Sequence, residues 1–90
     1  MKQSLRQTQE PRYPLGAYIK RWCIDRGISQ KEFALGAGYT YQHQVFKLKS
    51  TSIETLFRIV DFMAQDSALP EEFYLSRLKS VIQGTYKWTI

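Results

Sequence analysis

Residues 27–50 read GISQKEFALGAGYTYQHQVFKLKS and contain two short helix patterns joined by a glycine-containing turn. Ser29 and Glu32 have the spacing of a capping box, so the first of these helices is predicted to begin after Ser29. The second is predicted over residues 41–49, with Thr40 as its cap. Two short helices joined in this way are typical of a helix-turn-helix, whose second helix can enter the major groove of DNA.

The second of these helices, helix 3 of the chain, has distinct inner and outer faces. Tyr41, Val45 and Leu48 recur at helical spacing and form its predicted inward stripe. At about 100° per residue, His43 and Lys47 then point away from the core, with Gln42 and Gln44 on the flanks and Phe46 close by. We therefore expect an outward face that is polar and modestly basic and that carries one exposed aromatic, Phe46.

Three more helices complete the pattern, and each has an apolar stripe. The first covers residues 14–26 and is expected to bury Leu15, Ile19, Trp22 and Cys23. Helix 4 follows the caps Thr51 and Ser52, has a negative net charge, and is expected to bury Ile53, Leu56, Phe57, Val60, Met63 and Ala64. The last starts near Pro70, ends at Gly84, and is expected to bury Tyr74, Leu75, Leu78, Val81 and Ile82.

The two ends of the chain differ from this helical pattern. Residues 1–13 are polar and are predicted to form a flexible N-terminal arm, either a plain terminus or a basic arm that reaches DNA. In residues 85–90, Tyr86, Trp88 and Ile90 alternate with polar residues, which is a strand period. This tail either packs back in an extended form or pairs as a short strand with its copy in a second subunit.

Some aromatic side chains exceed what one small core needs. Phe46, Phe73, Tyr86 and Trp88 belong to this surplus, and surplus apolar surface indicates a partner or a second subunit. The predicted partner or dimer surface consists of Phe73, Tyr86, Trp88 and Ile90.

Length and composition limit the class of protein. Ninety residues with 43% hydrophobic content fit one globular domain, residues 14–84, in an all-α five-helix bundle. The net charge of +5 permits phosphate contacts without requiring them. A single cysteine, Cys23, excludes an intramolecular disulfide and fits a reducing compartment. No signal peptide or ~20-residue apolar run is present, so we expect a soluble, cytoplasmic protein.

Catalysis, metal binding and cofactor binding find no support in the sequence. One histidine, one cysteine and scattered serines do not assemble a nucleophile, a base and an orienting group. His43 has no cysteine or carboxylate at ligand spacing, so we predict no metal site. The glycines of residues 36–38 lack the lysine and serine of a phosphate-binding loop. We therefore expect no enzyme activity and no cofactor.

Two segments of the sequence resemble a known family. Residues 27–34, GISQKEFA, followed by Gly38 and by residues 52–59, SIETLFRI, are similar to the lambda-repressor/Cro-type helix-turn-helix domain. The resemblance covers residues 15–73. It implies a bundle of about five helices that binds operator DNA, commonly as a dimer, in repressors and antitoxins.

The resemblance also implies roles for individual residues. Gln30 takes the position that contacts a backbone phosphate, and Ala34 and Gly38 are the small residues that let the two helices cross closely. Thr40, Gln42, His43 and Gln44 fall in the region that reads bases. Helix 3 lacks arginine, whereas Gln42 and Gln44 suit adenine and Phe46 suits a thymine methyl group. Lys47 and Lys49, at its end, are either phosphate ligands or ordinary solvated charges.

The inward residues of helix 3 depart from the family pattern. They fall at Val45 and Leu48, one residue later than the family's positions, which here hold Gln44 and Lys47. One extra residue in the turn explains the shift, and it leaves the register of the base-reading residues open by one position.

Two hypotheses follow from the sequence. The first is a sequence-specific DNA-binding transcriptional regulator, a repressor that occupies its operator as a homodimer with helix 3 in the major groove. The second is a protein-interaction module or antitoxin on the same frame, whose main partner is another protein. The missing arginine and the shifted helix 3 motivate the second.

Overall fold

The computed structural model describes residues 11–48 and 51–88, except for the side chains of residues 42 and 43. Within these residues the chain forms five helices and no strand, which confirms the all-α prediction. The helices are α1 (Pro14–Arg26), α2 (Gln30–Gly36), α3 (Gln42–Phe46), α4 (Ile53–Ser67) and α5 (Glu71–Gln83). Most of the predicted arm, as well as Lys49 and Ile90, lies outside the described residues.

Local signals in the sequence set the helix ends. The Ser29 hydroxyl accepts a hydrogen bond from the Glu32 amide at 3.0 Å, which caps α2 as predicted. For α4 the cap is Ser52, whose hydroxyl accepts from the Thr55 amide at 3.3 Å. The helices α1 and α5 end at Gly27 and Gly84, as the sequence indicated. The predicted starts of α1, α2, α4 and α5, and the predicted ends of α1 and α5, are therefore confirmed to within a residue or two.

The core lies where α1 and α5 pack together and where α4 packs on α5, while α3 packs against α1 and α2. An aromatic cluster joins these layers around Trp22. Its ring centroid is 5.7 Å from that of Phe33 and 6.1 Å from that of Tyr74. Residues with the smallest exposure include Leu15, Ile19, Phe33, Val45, Ile59, Met63 and Leu78. Cys23 is buried as predicted.

A chain of hydrogen bonds crosses the same region. The Trp22 indole Nε1 donates to the Tyr74 hydroxyl at 3.1 Å, and that hydroxyl donates to Ser67 Oγ at 2.8 Å. Ser67 Oγ in turn donates to the Met63 carbonyl at 2.7 Å. The chain links α1, α5 and the end of α4 through partly buried polar atoms, which would be costly to leave without partners.

Two residues of the predicted inward stripe of α4 are exposed instead. Ile53 is 63% exposed and Phe57 is 53% exposed, so the prediction that they belong to the core is wrong. The buried face of α4 is centred near Leu56 and Met63, and it includes Ile59. Around that centre, Ile53 and Phe57 lie about 60° and 100° to one side. They therefore form a separate apolar edge.

The C-terminal tail packs back on its own chain. Residues 85–88 contain no strand, and the Tyr86 ring lies edge-on to Tyr18 with their centroids 5.4 Å apart. Trp88 in turn lies 4.8 Å from Tyr86, and both residues are partly buried against the core. Of the two alternatives for the tail, the packed extended form is present here. Tyr86 and Trp88 are therefore not surplus to the core, and the contrary prediction is wrong.

Within residues 11–48 and 51–88, no helix combines the length and apolar character that crossing a membrane requires.

Candidate nucleic-acid interface

Residues 37–41 form the turn between α2 and α3. Gly38 has a φ of 88°, the left-handed backbone region that glycine adopts without strain, as the sequence predicted. A Cβ atom at this glycine would also lie 3.0 Å from Nη1 of Arg58 on α4. The turn therefore needs glycine for its backbone conformation, and it places the Arg58 guanidinium beside it.

Backbone contacts hold α3 against α1. The Gly16 amide donates to the Leu48 carbonyl at 2.9 Å. A Cβ atom at Gly16 would come within 2.4 Å of the Phe46 carbonyl oxygen, so only glycine allows this approach. Val45 is fully buried and Ala34 nearly so. The position of α3 is thus fixed by main-chain contact with α1 and by small or buried residues on its inner side.

The start of α3 differs from the prediction. Tyr41 is 60% exposed, so its placement in the inward stripe is wrong. It precedes the helix as the N-terminal cap residue, and its amide donates to Oε1 of Gln44 at 3.1 Å. This bond starts the helix at Gln42, and the helix ends at Phe46 rather than at residue 49. The exposed aromatic at this surface is therefore Tyr41.

Phe46 is not the exposed aromatic that the sequence predicted. It is partly buried and packs against the core. The reason is that α3 contacts both α1 and α2, so neighbouring residues on two of its sides, Val45 and Phe46, are covered. A base contact by Phe46 would require an exposure that this arrangement does not provide.

The remaining predicted contact residues occupy different environments. Thr40, Gln44 and Lys47 are exposed within one short segment, whereas Gln30 is partly buried at the first position of α2. The side chains of Gln42 and His43, and all of Lys49, lie outside the described residues. The structure therefore brings Thr40, Gln44 and Lys47 to the outer surface around α3, whereas Gln30 is only partly exposed.

Tyr39 ties the turn to the segment before α4. Its amide donates to the Ala34 carbonyl at 2.8 Å, and its side chain packs against the core. The pKa of the Tyr39 hydroxyl is raised above its usual value, because burial has the largest effect. A hydrogen bond with the Thr51 side chain and the positive charge of Arg58 act in the opposite direction. Arg58 therefore lies close to both Gly38 and Tyr39.

Sequence reasoning missed Tyr41 and Arg58 as members of this surface. For Tyr41 a signal was present, because glutamine three residues later is the second half of a capping box. For Arg58 there was none, since its proximity to Gly38 joins residues twenty positions apart in sequence. The negative net charge of α4 pointed away from it.

The described residues contain no group of three or more His, Cys, Asp or Glu side chains that could hold a metal ion. Burial above all, together with the negative charges of the Asp66 and Glu32 carboxylates, raises the pKa of the Cys23 thiol from 9.0 to about 11. At neutral pH this cysteine is a protonated core residue rather than a nucleophile.

Comparisons of the chain with models of known protein families, with curated protein sequences and with solved structures give no match. Support for a function therefore comes from the sequence and from the geometry around α2 and α3.

Proposed function

We propose that this chain is a sequence-specific DNA-binding regulator of the lambda-repressor/Cro helix-turn-helix class. In this proposal it acts as a repressor that occupies its operator as a homodimer, with α3 in the major groove. The observation that carries the proposal is the arrangement of α2, the Gly38 turn and α3, in which the inner side of α3 is covered and Thr40, Gln44 and Lys47 are exposed.

The size of α3 suits such a contact. A helix over Gln42–Phe46 is about 7.5 Å long, and a major groove about 12 Å wide admits a helix end on or at an angle. Thr40 and Gln44 would meet base edges, together with Gln42 and His43. Phe46 leaves this set because it is partly buried, and the exposed Tyr41 takes its place as the aromatic beside the bases.

Cationic groups flank the same surface. Lys47 is exposed directly after α3, and the Arg58 guanidinium lies beside Gly38. Both would contact phosphates, with Lys49 and the Gln30 amide as the other phosphate ligands. The net charge of +5 supports attraction to a polyanion in the same sense.

Fluorescence anisotropy with labelled promoter fragments, including that of the protein's own operon, tests the proposal. We expect affinity to fall steeply with salt, and Lys47→Gln to weaken binding to all sequences and reduce the slope of log K against log salt by about 1. Gln44→Glu, which keeps the side-chain oxygen that accepts from the Tyr41 amide, should instead change the preference among sequences. Lys87→Gln is the matched control, because Lys87 is exposed on the tail.

The tail packs on Tyr18 of α1. Tyr18 is two residues from Gly16, which contacts α3, so the tail and α3 lie on sides of α1 about 200° apart. Equal effects of Lys47→Gln and Lys87→Gln, or binding that does not respond to salt, would contradict a specific contact through α3.

A second candidate function has its own observation. The exposed Ile53 and Phe57 form an apolar edge on α4, which favours a protein-interaction module or antitoxin. Recovery of one stoichiometric protein partner, together with DNA binding that shows no sequence preference, would favour this function over the first. A toxin-like reading frame next to the gene would point the same way.

A further inference from the structure

An apolar groove runs between α4 and α5, and we call it the α4–α5 groove. Its volume is about 390 Å³. The apolar lining residues are Ile53, Leu56, Phe57, Leu75 and Ile82, with Thr51, Lys79 and Gln83 at the rim. Ile53 and Phe57, one helical turn apart, are also the exposed apolar side chains of α4. Exposed apolar surface next to a concave apolar site is typical of a protein contact rather than of a solvated surface.

The groove continues along α5. A second cleft of about 270 Å³ is lined by Glu72, Leu75, Ser76 and Lys79, and it shares Leu75 and Lys79 with the groove. The apolar strip therefore extends from the start of α4 to the first turns of α5. Residues 85–88, the described part of the tail, line neither cleft, and Tyr86 packs on Tyr18 of α1 instead.

We propose that the α4–α5 groove is the surface through which two copies of this chain form a two-fold symmetric dimer. A two-fold interface must be self-complementary, because each contact occurs twice with the partners exchanged. This surface offers both halves of such a contact, because the exposed Ile53 and Phe57 line the same groove as the more buried Leu56, Leu75 and Ile82. A two-fold operation can place the exposed pair of each copy in the groove of the other.

Charge supports the same occupant. Glu54 is exposed on α4, directly after Ile53 in the sequence, and Lys79 is exposed at the rim of the groove on α5. A two-fold arrangement that sets α4 of one copy against α5 of the other brings the Glu54 carboxylate of each copy toward the Lys79 ammonium group of its partner. Opposite charges at the rim fix the register of such a contact.

This inference relocates the dimer surface. The sequence pointed to Phe73, Tyr86, Trp88 and Ile90, but Tyr86 and Trp88 are used within their own chain. Phe73 is 37% exposed, and the Arg77 guanidinium lies over its ring, 4.4 Å from the centroid. By contrast, Ile53 and Phe57 are 63% and 53% exposed.

The dimer deepens the proposed function but does not depend on it. Only the consequence of the dimer for DNA binding rests on the proposed function. Thr51 lies at the rim of the groove, and its side chain forms a hydrogen bond with the hydroxyl of Tyr39, in the turn before α3. A dimer through the groove would therefore adjoin the two candidate DNA surfaces and hold their α3 helices at one separation. That separation would set the spacing of the operator half-sites.

Sedimentation equilibrium of the full chain, over a micromolar to submillimolar range, tests the dimer. We expect the wild type to be dimeric and Phe57→Glu to be monomeric with an unchanged circular dichroism spectrum. Phe73→Glu is the matched control, an aromatic at the alternative surface, and it should remain dimeric. The charge reversals Glu54→Lys and Lys79→Glu should each weaken the dimer at least about tenfold, and the double variant should restore it.

A wild type that is monomeric throughout the range would overturn the inference, even if a different protein then binds the groove. So would a Phe73→Glu monomer beside a Phe57→Glu dimer. If Phe57→Glu fails to fold, the charge-reversal pair decides, and lack of restoration counts against the groove. A dimer without specific DNA binding would sink the proposed function alone, whereas a monomer that binds its operator would sink this inference alone.

Discussion

The carbonyl oxygen of Phe46 approaches Gly16 so closely that a Cβ atom there would lie 2.4 Å away from it. Gly16 belongs to the long helix α1 and Phe46 to the short helix α3, so the contact joins the backbones of two helices. Next to this contact, the Gly16 amide donates a hydrogen bond to the Leu48 carbonyl at 2.9 Å, and this bond helps to fix the orientation of α3 on α1. The orientation of α3 therefore depends on a residue that has no side chain.

Gly16→Ala should destabilise the fold. Alanine normally gains about 1 kcal/mol over glycine inside a helix, but here its methyl group would collide with main chain that cannot rotate away. We expect a net loss of about 1–3 kcal/mol in the free energy of unfolding, measured by urea denaturation. Lys20→Ala, at an exposed position of the same helix, should change it by less than about 0.5 kcal/mol. A Gly16→Ala variant as stable as the wild type would show that α1 and α3 are not in this contact.

Tyr74→Phe should cost about 1–2 kcal/mol of unfolding free energy. The substitution keeps the ring among its aromatic neighbours but removes the hydroxyl that accepts from Trp22 and donates to Ser67. Both groups are partly buried and lose a partner. Urea denaturation measures the loss. Ser76→Ala, which removes a hydroxyl at an exposed position of the same helix, serves as the control and should leave stability nearly unchanged.

Asp66→Asn should have a small and salt-dependent effect. Arg26 Nε lies 2.6 Å from Asp66 Oδ2, and the pair joins the end of α1 to the end of α4, but both side chains are 36% exposed. Solvent therefore screens the attraction, and we expect a loss of less than about 1 kcal/mol at low salt. Thermal unfolding at low and high salt should show the difference from the wild type shrinking as salt rises. A large loss that salt does not alter would mean that the pair is far better shielded than its exposure indicates.

Stability should fall in alkaline solution partly because of Cys23. Its thiol has a pKa of about 11 in the folded protein against 9.0 for an exposed thiol, so between these values the folded state keeps a proton that the unfolded state has lost. The contribution of this group to the unfolding free energy is fully present below about pH 9 and is lost as the pH rises toward 11. Burial raises the pKa of Tyr18 from 10.0 to about 12, which adds a decline of the same sign at slightly higher pH.

Urea denaturation of the wild type and of Cys23→Ala, followed from neutral to alkaline pH, separates the cysteine contribution. The variant will be less stable at every pH because it leaves a cavity, so the slope is the quantity to compare. We expect a shallower decline for Cys23→Ala. Identical slopes, or rapid reaction of the native thiol with a disulfide reagent at neutral pH, would contradict a buried protonated cysteine.

Local signals predicted the helices well because they act within a few residues. Ser29 and Ser52 cap α2 and α4 through amides three residues later, and such pairs can be read directly from the sequence. The face that a helix buries depends instead on where its neighbours lie. The predicted stripe of α4 included Phe57 and omitted Ile59, but in the fold Ile59 is fully buried and Phe57 is exposed.

The candidate DNA surface likewise has some features that local sequence predicts and others that depend on long-range packing. The turn at Gly38 was predictable, because glycine tolerates the backbone that the turn needs. The place of Tyr41 before α3 also had a local signal, the capping box with Gln44. The partial burial of Phe46 had none, since it follows from the packing of α3 against two helices at once. Arg58 joined the surface through a contact between distant parts of the chain. Long-range packing thus decided the details that periodicity left open.

Because main-chain contact with Gly16 locates α3, the exposed side chains at Thr40 and Lys47 take little part in holding it in place. Amino acids at these two positions can consequently be exchanged with little penalty to folding. A randomised library at both sites should yield mostly well-folded members, and the outer surface of this scaffold can diversify much faster during evolution than its frame.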